Sequence, residues 1–397
     1  MDKIELNNVV KIFGDSPEKA LDLFYQGVSF PEIYQQTGHV VAVGGVSFSV
    51  AEGETVVVMG LSGSGKSTLV RCINRLFEPT AGEIYVDGQE VQKLDSTELR
   101  DFRRQKFGMV FQHFALFPHR TVLDNVEFGL EVQGEEKSKR QEKAENALTM
   151  VGLKGWGDKY PGELSGGMQQ RVGLARALCL DPDILLMDEA FSALDPLIRR
   201  DMQDELIKLQ QSVKKTIVFI SHDLDEALKI GDRLVILKDA QVDQIGTPEE
   251  ILTKPATEYV RKFVEDVDIT KVLTAESVMK KCEDVAYIGS DGPNTALRKM
   301  RKNAIASLFV LNRDLSVAGI VFAEDVRKLV DAGGTDLEQV LHTDIPKVHP
   351  DTLAHELFPI MQSISYPVAV VDQENKFLGV IVKGRLFTAI AERGGEV

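Results

Sequence analysis

The sequence predicts an α/β fold with a largely parallel sheet over its first two-thirds, then a smaller α+β unit built from a repeat. Three observations support this. Apolar, β-branched runs alternate with helical patterns along residues 1–265, the order that places helices on the faces of a parallel sheet. A glycine-rich turn, Gly60-Leu61-Ser62-Gly63-Ser64-Gly65-Lys66-Ser67-Thr68, stands between one such run (55–59) and a helical stretch (69–74), the context that G-x-x-x-x-G-K-[ST] requires. Beyond residue 275 the chain repeats with an offset of sixty positions: 307–312 lines up with 367–372, 318–321 with 378–381, Leu297 with Leu357 and Met300 with Ile360.

The elements follow in order. Residues 3–13 alternate as a strand. Ser16 with Pro17 reads as an N-cap with proline in the first turn, and Ser29 with Glu32 has capping-box spacing, with Val28 and Ile33 placed as a staple. Residues 16–37 thus read as a short helical hairpin, either packed on the domain or, as the sharper alternative, docking a partner. Strands are expected at 40–50, 55–59, 83–91 and 107–111, with a charged helix at 97–106 between the last two. From 121 to 163 the pattern is mostly helical, and its Glu- and Lys-rich part, 135–147, is a solvated face. A helix over 168–180, a buried strand at 183–187, a helix over 196–212 and a strand at 216–220 come next. A strand pair (234–238, 242–246) and a helix over 248–263 close the first unit. Each copy of the repeat reads helix, strand, turn, strand, helix, and two copies bury their apolar faces on each other.

Bulk composition narrows the function. A chain of 397 residues suggests two or three domains, and 43 % hydrophobic with 27 % charged residues is ordinary for a globular protein. The net charge of −15 disfavours nucleic acid as a general partner. Cys72, Cys179 and Cys282 stand far apart with no C-x-x-C pair, against a zinc site or a disulfide framework and in keeping with a reducing compartment. Residues 1–5 carry acids and no apolar core, so no signal peptide is expected. No apolar run approaches the roughly 20 residues that span a bilayer, so any membrane role works through a partner.

Phosphate chemistry centres on residues 60–68. Glycines let the backbone wrap a phosphate, and the following helix points its free N–H groups and positive dipole end at it. Lys66 reaches the β- and γ-phosphates and the Ser67 hydroxyl ligates Mg²⁺. Four further features accompany the loop. The apolar run 184–187 delivers Asp188, a carboxylate for Mg²⁺, and Glu189 follows it, placed to polarise a water. Gln112 ends a strand, where it senses the metal and the water. Leu164-Ser165-Gly166-Gly167-Met168-Gln169-Gln170-Arg171 is a second glycine turn entering a helix. His222 follows a strand and contacts the γ-phosphate. Singly, Asp-Glu after a strand, a surface glutamine or a lone histidine are ordinary structural features; the combination decides.

Together these features resemble the ATP-binding cassette family over residues 1–265, and the Leu-Ser-Gly-Gly-Met-Gln-Gln sequence is specific to it. The resemblance implies a head-to-tail dimer of two copies holding two ATP molecules with Mg²⁺. Each ATP lies between Gly60–Thr68 of one copy (Gly60, Ser62, Gly63, Ser64, Gly65, Lys66, Ser67, Thr68) and Ser165, Gly166 and Gly167 of the other. Asp195 lies at the seam, and Phe13 matches the aromatic that stacks on adenine. Glu189, His222, Gln112 and Lys66 are the implied catalytic residues; Ser67, Gln112 and Asp188 are the implied metal ligands. Residues 59–65, 112–119, 188–199 and the hairpin at 16–37 look like the ATPase subunits of glycine betaine/L-proline importers, and the tail resembles paired CBS domains, which that subfamily carries. The implied organisation is a cassette over 1–265, with a helical subdomain at about 113–165, a linker at 266–274, and CBS units at about 275–333 and 338–397.

The same resemblance implies a transmembrane permease, a substrate-binding protein or domain reached through it, a position on the cytoplasmic face of the membrane, and osmotic regulation. CBS tails of this kind are linked to ionic strength and in some members to cyclic di-AMP. Nucleotide-binding CBS units often end their second strand with a hydroxyl residue and place an acid three residues later. Here Phe322 and Asp325 occupy those places after Gly319, and Val382 and Arg385 after Gly379, which speaks against adenosine. Other readings are a motor for choline or carnitine import, a soluble cassette ATPase outside transport, and a non-enzymatic nucleotide-sensing CBS protein. The single cassette and acidic balance speak against the soluble cassette ATPase. The full set of Lys66, Gln112, Asp188, Glu189 and His222 speaks against the non-enzymatic CBS protein.

Overall fold

The computed structural model describes residues 2–393 apart from Asp266, Ile269, Lys271 and Glu283. The chain divides into two units, Met1–Val267 and Asp268–Val397. The first begins with β1 (Asp2–Phe13), α1 (Glu18–Tyr25), α2 (Phe30–Thr37), β2 (Val40–Ala51), β3 (Thr55–Met59) and α3 (Lys66–Ile73). It continues through β4 (Ala81–Val86), β5 (Gln89–Glu90), α4 (Ser96–Lys106) and β6 (Phe107–Phe111). A helical stretch holds α5 (Val122–Gln133), α6 (Lys137–Met150) and α7 (Gly166–Leu178). Next come β7 (Ile184–Asp188), α8 (Pro196–Val213), β8 (Thr216–Ile220), α9 (Leu224–Ile230), β9 (Arg233–Lys238) and β10 (Gln241–Gly246). The helices α10 (Pro248–Thr253) and α11 (Glu258–Val264) complete the unit.

Every residue of β3, β7 and β8 is buried, as in a parallel sheet covered on both faces. Alternate side chains feed two cores. Val57, Met59, Leu185, Met187, Ile217 and Phe219 pack with α5–α8. Val56, Val58, Ile184, Leu186, Val218 and Ile220 pack with β1, β2, α3 and α4. The sheet order is β10-β9-β3-β8-β7-β6, parallel except for the antiparallel β10.

The expectation of one largely parallel sheet missed a second, antiparallel sheet, β2-β1-β4-β5. Its strands mix buried and exposed positions where the central strands are continuously apolar, and that contrast marks a half-covered sheet. The single strand expected at 83–91 is a hairpin, because Asp87 (φ 52°) and Gly88 (φ 73°) turn the chain between β4 and β5. The single helix expected at 248–263 is two: Pro255 interrupts it, and Thr257 Oγ1 caps the second half by accepting from the Val260 N–H at 3.2 Å.

The hairpin of α1 and α2 is present. Its first helix starts at Glu18 with Pro17 as the cap, one residue later than Ser16 suggested. Glu32 accepts from the Ser29 N–H (3.3 Å) and hydroxyl (2.7 Å). Ala20 and Ile33 are fully buried against Val10, Ile12 and Val41.

The second unit holds α12 (Ala275–Val278), β11 (Ala286–Tyr287), α13 (Pro293–Lys302), β12 (Ser307–Leu311), β13 (Val317–Phe322) and α14 (Ala323–Asp331). After a 3-10 turn at Leu337–Val340 it repeats as β14 (Lys347–Val348), α15 (Ala354–Ser363), β15 (Val368–Val371), β16 (Phe377–Ile381) and α16 (Lys383–Arg393). Both copies form three-stranded sheets of one pattern, β11-β12-β13 and β14-β15-β16, parallel then antiparallel. The sequence reading lacked β11 and β14, each two residues long and too short to express a period. The copies bury Phe309, Ile320, Ala369 and Val380 together, with the Phe309 and Phe377 rings 5.6 Å apart. Asp266, Ile269 and Lys271 of the 266–274 linker, Glu283, and the last positions of the second repeat, 394–397, lie outside the described residues.

Candidate nucleotide-binding site

The loop between β3 and α3 needs its glycines. Gly60, Gly63 and Gly65 have φ of 146°, 83° and 91°, a region that L side chains rarely adopt. A Cβ on Gly60 would also run into the Leu237 carbonyl, and one on Gly65 into the Ala42 carbonyl. Lys66 opens α3 and is only 5 % exposed. Its ammonium arches back to donate to the carbonyls of Gly60 (2.8 Å) and Leu61 (3.0 Å). Burial pushes its pKa down, while Glu189 and Asp188 pull it up. Ser64 Oγ is buried without a hydrogen-bond partner, a free donor within the cradle.

Ser67, the second residue of α3, donates from Oγ to Asp188 Oδ1 at 2.8 Å. One turn later, Arg71 Nη2 lies 3.4 Å from Asp188 Oδ2. Glu189 has a left-handed backbone (φ 48°), and its N–H donates to the Ile220 carbonyl at 3.2 Å. This turn brings Glu189 Oε2 to 3.4 Å from His222 Nδ1. Gln112 follows Phe111, whose strand partner is Asp188. Lys66, Ser67, Gln112, Asp188, Glu189 and His222 therefore gather at the carboxyl ends of β3, β6, β7 and β8, where open α/β sheets bind ligands.

Phe13 ends β1 opposite Val40 of β2. Ala42, two residues along that strand, is the one that meets Gly65. The Phe13 ring is 39 % exposed, stands edge-on to Phe77 at 5.3 Å and carries Lys11 Nζ at 5.0 Å. Ser62 and Thr68 lie within or beside the loop. Ser165, Gly166, Gly167 and Asp195 belong to a separate cluster. Ser165 caps α7 by accepting from the Met168 N–H (3.4 Å). Gly166 and Gly167 face Phe114, Leu194 and Ile198 rather than the phosphate loop, and Asp195 stands exposed at the start of α8.

The donor set fits Mg²⁺. Ser67 Oγ and Asp188 Oδ1 are hard oxygens already in contact, and Gln112 leaves the neighbouring strand. Among the described residues no group of three or more His, Cys, Asp or Glu could hold a metal. The Ser67–Asp188 pair suits a cation that takes one or two protein oxygens and completes its shell with phosphate and water. Arg71 and Phe77 were not anticipated from sequence. Arg71 stands four residues after Ser67, so helical spacing alone puts both on one face. Phe77 carries no local signal, because only folding sets it against Phe13.

The chain matches two family models, ABC transporter over residues 43–192 and CBS domain over residues 337–392. It is 52 % identical to the glycine betaine transport ATP-binding protein OpuAA of Bacillus subtilis, covering 98 % of this chain and 92 % of that one. It is 52 % identical to the glycine betaine/carnitine transport ATP-binding protein GbuA of Listeria monocytogenes, covering 100 % and 99 %. It is 47 % identical to the glycine betaine/proline betaine transport system ATP-binding protein ProV of Salmonella typhimurium, covering 99 % and 98 %. Among solved structures, the dimeric post-hydrolysis state of the ATP-binding cassette MJ0796 bound to ADP and Pi aligns with a TM-score of 0.52 at 35 % identity, over 62 % of this chain and 98 % of that one. With two relatives more than half identical over nearly their whole length, and with the cassette and CBS matches in the same order, this chain belongs to the glycine betaine transport ATP-binding proteins of the ABC transporter family.

Proposed function

We propose that the chain hydrolyses ATP at this site to drive import of glycine betaine or a closely related osmoprotectant through a membrane permease. The observation that carries the catalytic reading is the convergence of the Ser67–Asp188 contact at 2.8 Å with the Glu189–His222 contact at 3.4 Å beside the phosphate loop. Backbone N–H groups of 60–68 and the start of α3 hold the phosphates, and Lys66 neutralises the β- and γ-oxygens. Ser67, Asp188 and Gln112 are the residues for Mg²⁺, which when bound supplies charge neutralisation to the phosphate oxygens. Glu189 orients a water toward the γ-phosphorus and accepts its proton. As the water oxygen bonds to phosphorus, the bond to the β,γ-bridging oxygen breaks, leaving ADP and phosphate. His222 contacts the γ-phosphate. Phe13 stacks on adenine.

Two copies complete the machine. Ser165 and Gly166 are exposed and apart from their own phosphate loop, which supports their closing on the ATP of a second copy, with Asp195 at the seam. ATP bridges the two copies and hydrolysis removes the bridging charge, which makes a two-state switch. Among the described residues no helix is long and apolar enough to cross a membrane. The relatives are named for transport, which supports a separate permease, a substrate-binding protein beyond it, and a place for this chain on the cytoplasmic face.

The tail modulates this cycle by pairing with its copy, in response to salt ions or to cyclic di-AMP. Arg298, Arg301, Lys302 and Arg327 line a cavity of about 590 Å³ between α13 and α14. Sixty positions on, Phe358 and Phe387 take the places of Arg298 and Arg327, their rings 6.1 Å apart across α15 and α16. A head-to-tail pairing sets the cationic groove of one tail over the aromatic groove of the other. At the first of the two positions, Asp325 lies 3.3 Å from His342 Nε2, and the Phe322 ring packs on His342 and Tyr366 in place of a hydroxyl. That favours salt ions over an adenosine ligand at this position.

The test is uptake of labelled glycine betaine by cells lacking the gene, complemented with wild type or Glu189→Gln, at low and high osmolarity. Uptake restored by wild type alone, and raised by osmotic stress, supports solute, motor and regulation. Uptake independent of the gene removes the solute assignment, and carnitine and choline are then measured in the same strains.

A further inference from the structure

Arg199 lies in the first turn of α8 and carries no role assigned above. Its side chain is 24 % exposed, and its guanidinium reaches four acceptors. Nε donates to the Phe191 carbonyl (3.2 Å), and Nη2 donates to the carbonyls of Ser192 (3.2 Å) and Leu194 (3.2 Å). Nη1 donates to Asp223 Oδ2 at 3.3 Å. Three acceptors belong to the turn that runs from Glu189 to Asp195, and the fourth belongs to the residue after His222.

Asp223 is itself held in place. Its other carboxylate oxygen accepts from the Glu226 N–H (3.1 Å) and caps α9, and its own N–H donates to Ser221 Oγ (3.0 Å). The Ser221 hydroxyl also contacts the buried Glu226 carboxylate, which accepts from Gln203 Nε2 at 3.1 Å. Positions 199 and 203 are one turn apart on α8, so one face of that helix holds the 221–223 turn directly through Arg199 and indirectly through Gln203 and Glu226. Only the planar guanidinium fork spans three carbonyls and a carboxylate at once; a lysine offers a single nitrogen.

We infer that Arg199 is a positioning residue for hydrolysis, and this rests on the proposed roles of Glu189 and His222. It ties the segment that starts with Glu189 and ends with Asp195 to the turn that carries His222. The 3.4 Å contact between Glu189 and His222 is thereby held from behind. A shift of Asp195 at the seam between two copies moves the His222 turn with it, so closure at the seam and alignment at the γ-phosphate are one motion.

The test is steady-state ATP hydrolysis by the full chain: wild type, Arg199→Lys, Asp223→Asn, the double variant, and Arg199→Lys in a His222→Ala background. Asn at 223 keeps an acceptor able to cap α9, so that variant carries the test if Arg199→Lys fails to fold. Each single variant is expected to lower kcat about ten- to a hundredfold, with KM for ATP and affinity for a fluorescent non-hydrolysable ATP analogue within about twofold. The double variant loses no more than either single one, and Arg199→Lys adds nothing once His222 is gone. Additive losses, a change in KM with kcat unchanged, or the same fold loss in the His222→Ala background would overturn the inference. Full activity of His222→Ala itself would instead overturn the role of His222, and the inference with it.

Discussion

Glu226 is 5 % exposed and shares its carboxylate between Ser221 and Gln203. Burial pushes its pKa up, while the two hydrogen bonds pull it back. A carboxyl whose folded pKa exceeds its unfolded value stabilises the fold fully below about 4.3, and that contribution is lost as pH rises through the folded value. Glu226→Gln removes the titration. Urea unfolding of the variant should therefore gain on wild type between pH 4 and 7, and an unchanged difference between the two would refute the buried-carboxyl account. At this scale the placement of the phosphate loop, Asp188, Glu189 and His222 at strand exits was legible, because it follows from local spacing. Arg199 and Glu226 were not. Their meaning depends on partners 24 and 23 residues away, Asp223 and Gln203, that only folding brings near.

Between elements, a four-membered charge cluster joins the start of β1, the turn after β4, the end of α4 and the entry to β7. Lys106 Nζ lies 2.7 Å from Asp183 and 2.8 Å from Asp87, and Lys3 lies 3.2 Å and 2.8 Å from the same pair. The bond from Lys106 holds the Asp183 carboxyl below the usual carboxylate range. A lowered carboxyl pKa stabilises above the unfolded value and loses that contribution as pH falls through the folded one. Asp183 is partly solvated, so Asp183→Asn should cost about 0.5–1 kcal/mol at pH 7 and nothing in strong acid, read by urea unfolding at the two pH values. Strand and helix order was legible along most of the first unit, because buried strands are continuous apolar runs. The hairpin at Asp87-Gly88 and the break at Pro255 blurred into longer elements, since residues on either side kept a compatible pattern.

For the molecule as a whole, the proposal gives the two units different duties. The first carries every residue assigned to the proposed catalytic site. The second carries the cationic and aromatic grooves at equivalent places of its repeat. Deleting residues 275–397 should leave ATP hydrolysis in place while altering how uptake depends on salt; uptake measured across an osmolarity series with the same dependence as wild type would remove the regulatory role. The repeat was legible from its offset of sixty, and with it the burial of the two copies' apolar faces on each other, but the Phe309–Phe377 contact was not, because those positions are not equivalent in the repeat. Its outer strands were not, because β11 and β14 are defined by pairing to β12 and β15 rather than by their own composition.

By itself the sequence determined the chemistry: a phosphate loop, a strand delivering Asp188 and Glu189, a second glycine turn, and a repeated tail. These are statements about residue type and short spacing, and short spacing is read directly along a chain. The tertiary structure decided geometry. It set Ser67 on Asp188 and Glu189 beside His222, divided the strands between a parallel and an antiparallel sheet, and closed Arg199 onto the turns on either side. Each of these depends on packing that joins residues distant in sequence, where side-chain direction and backbone turn fix contacts that no local pattern specifies.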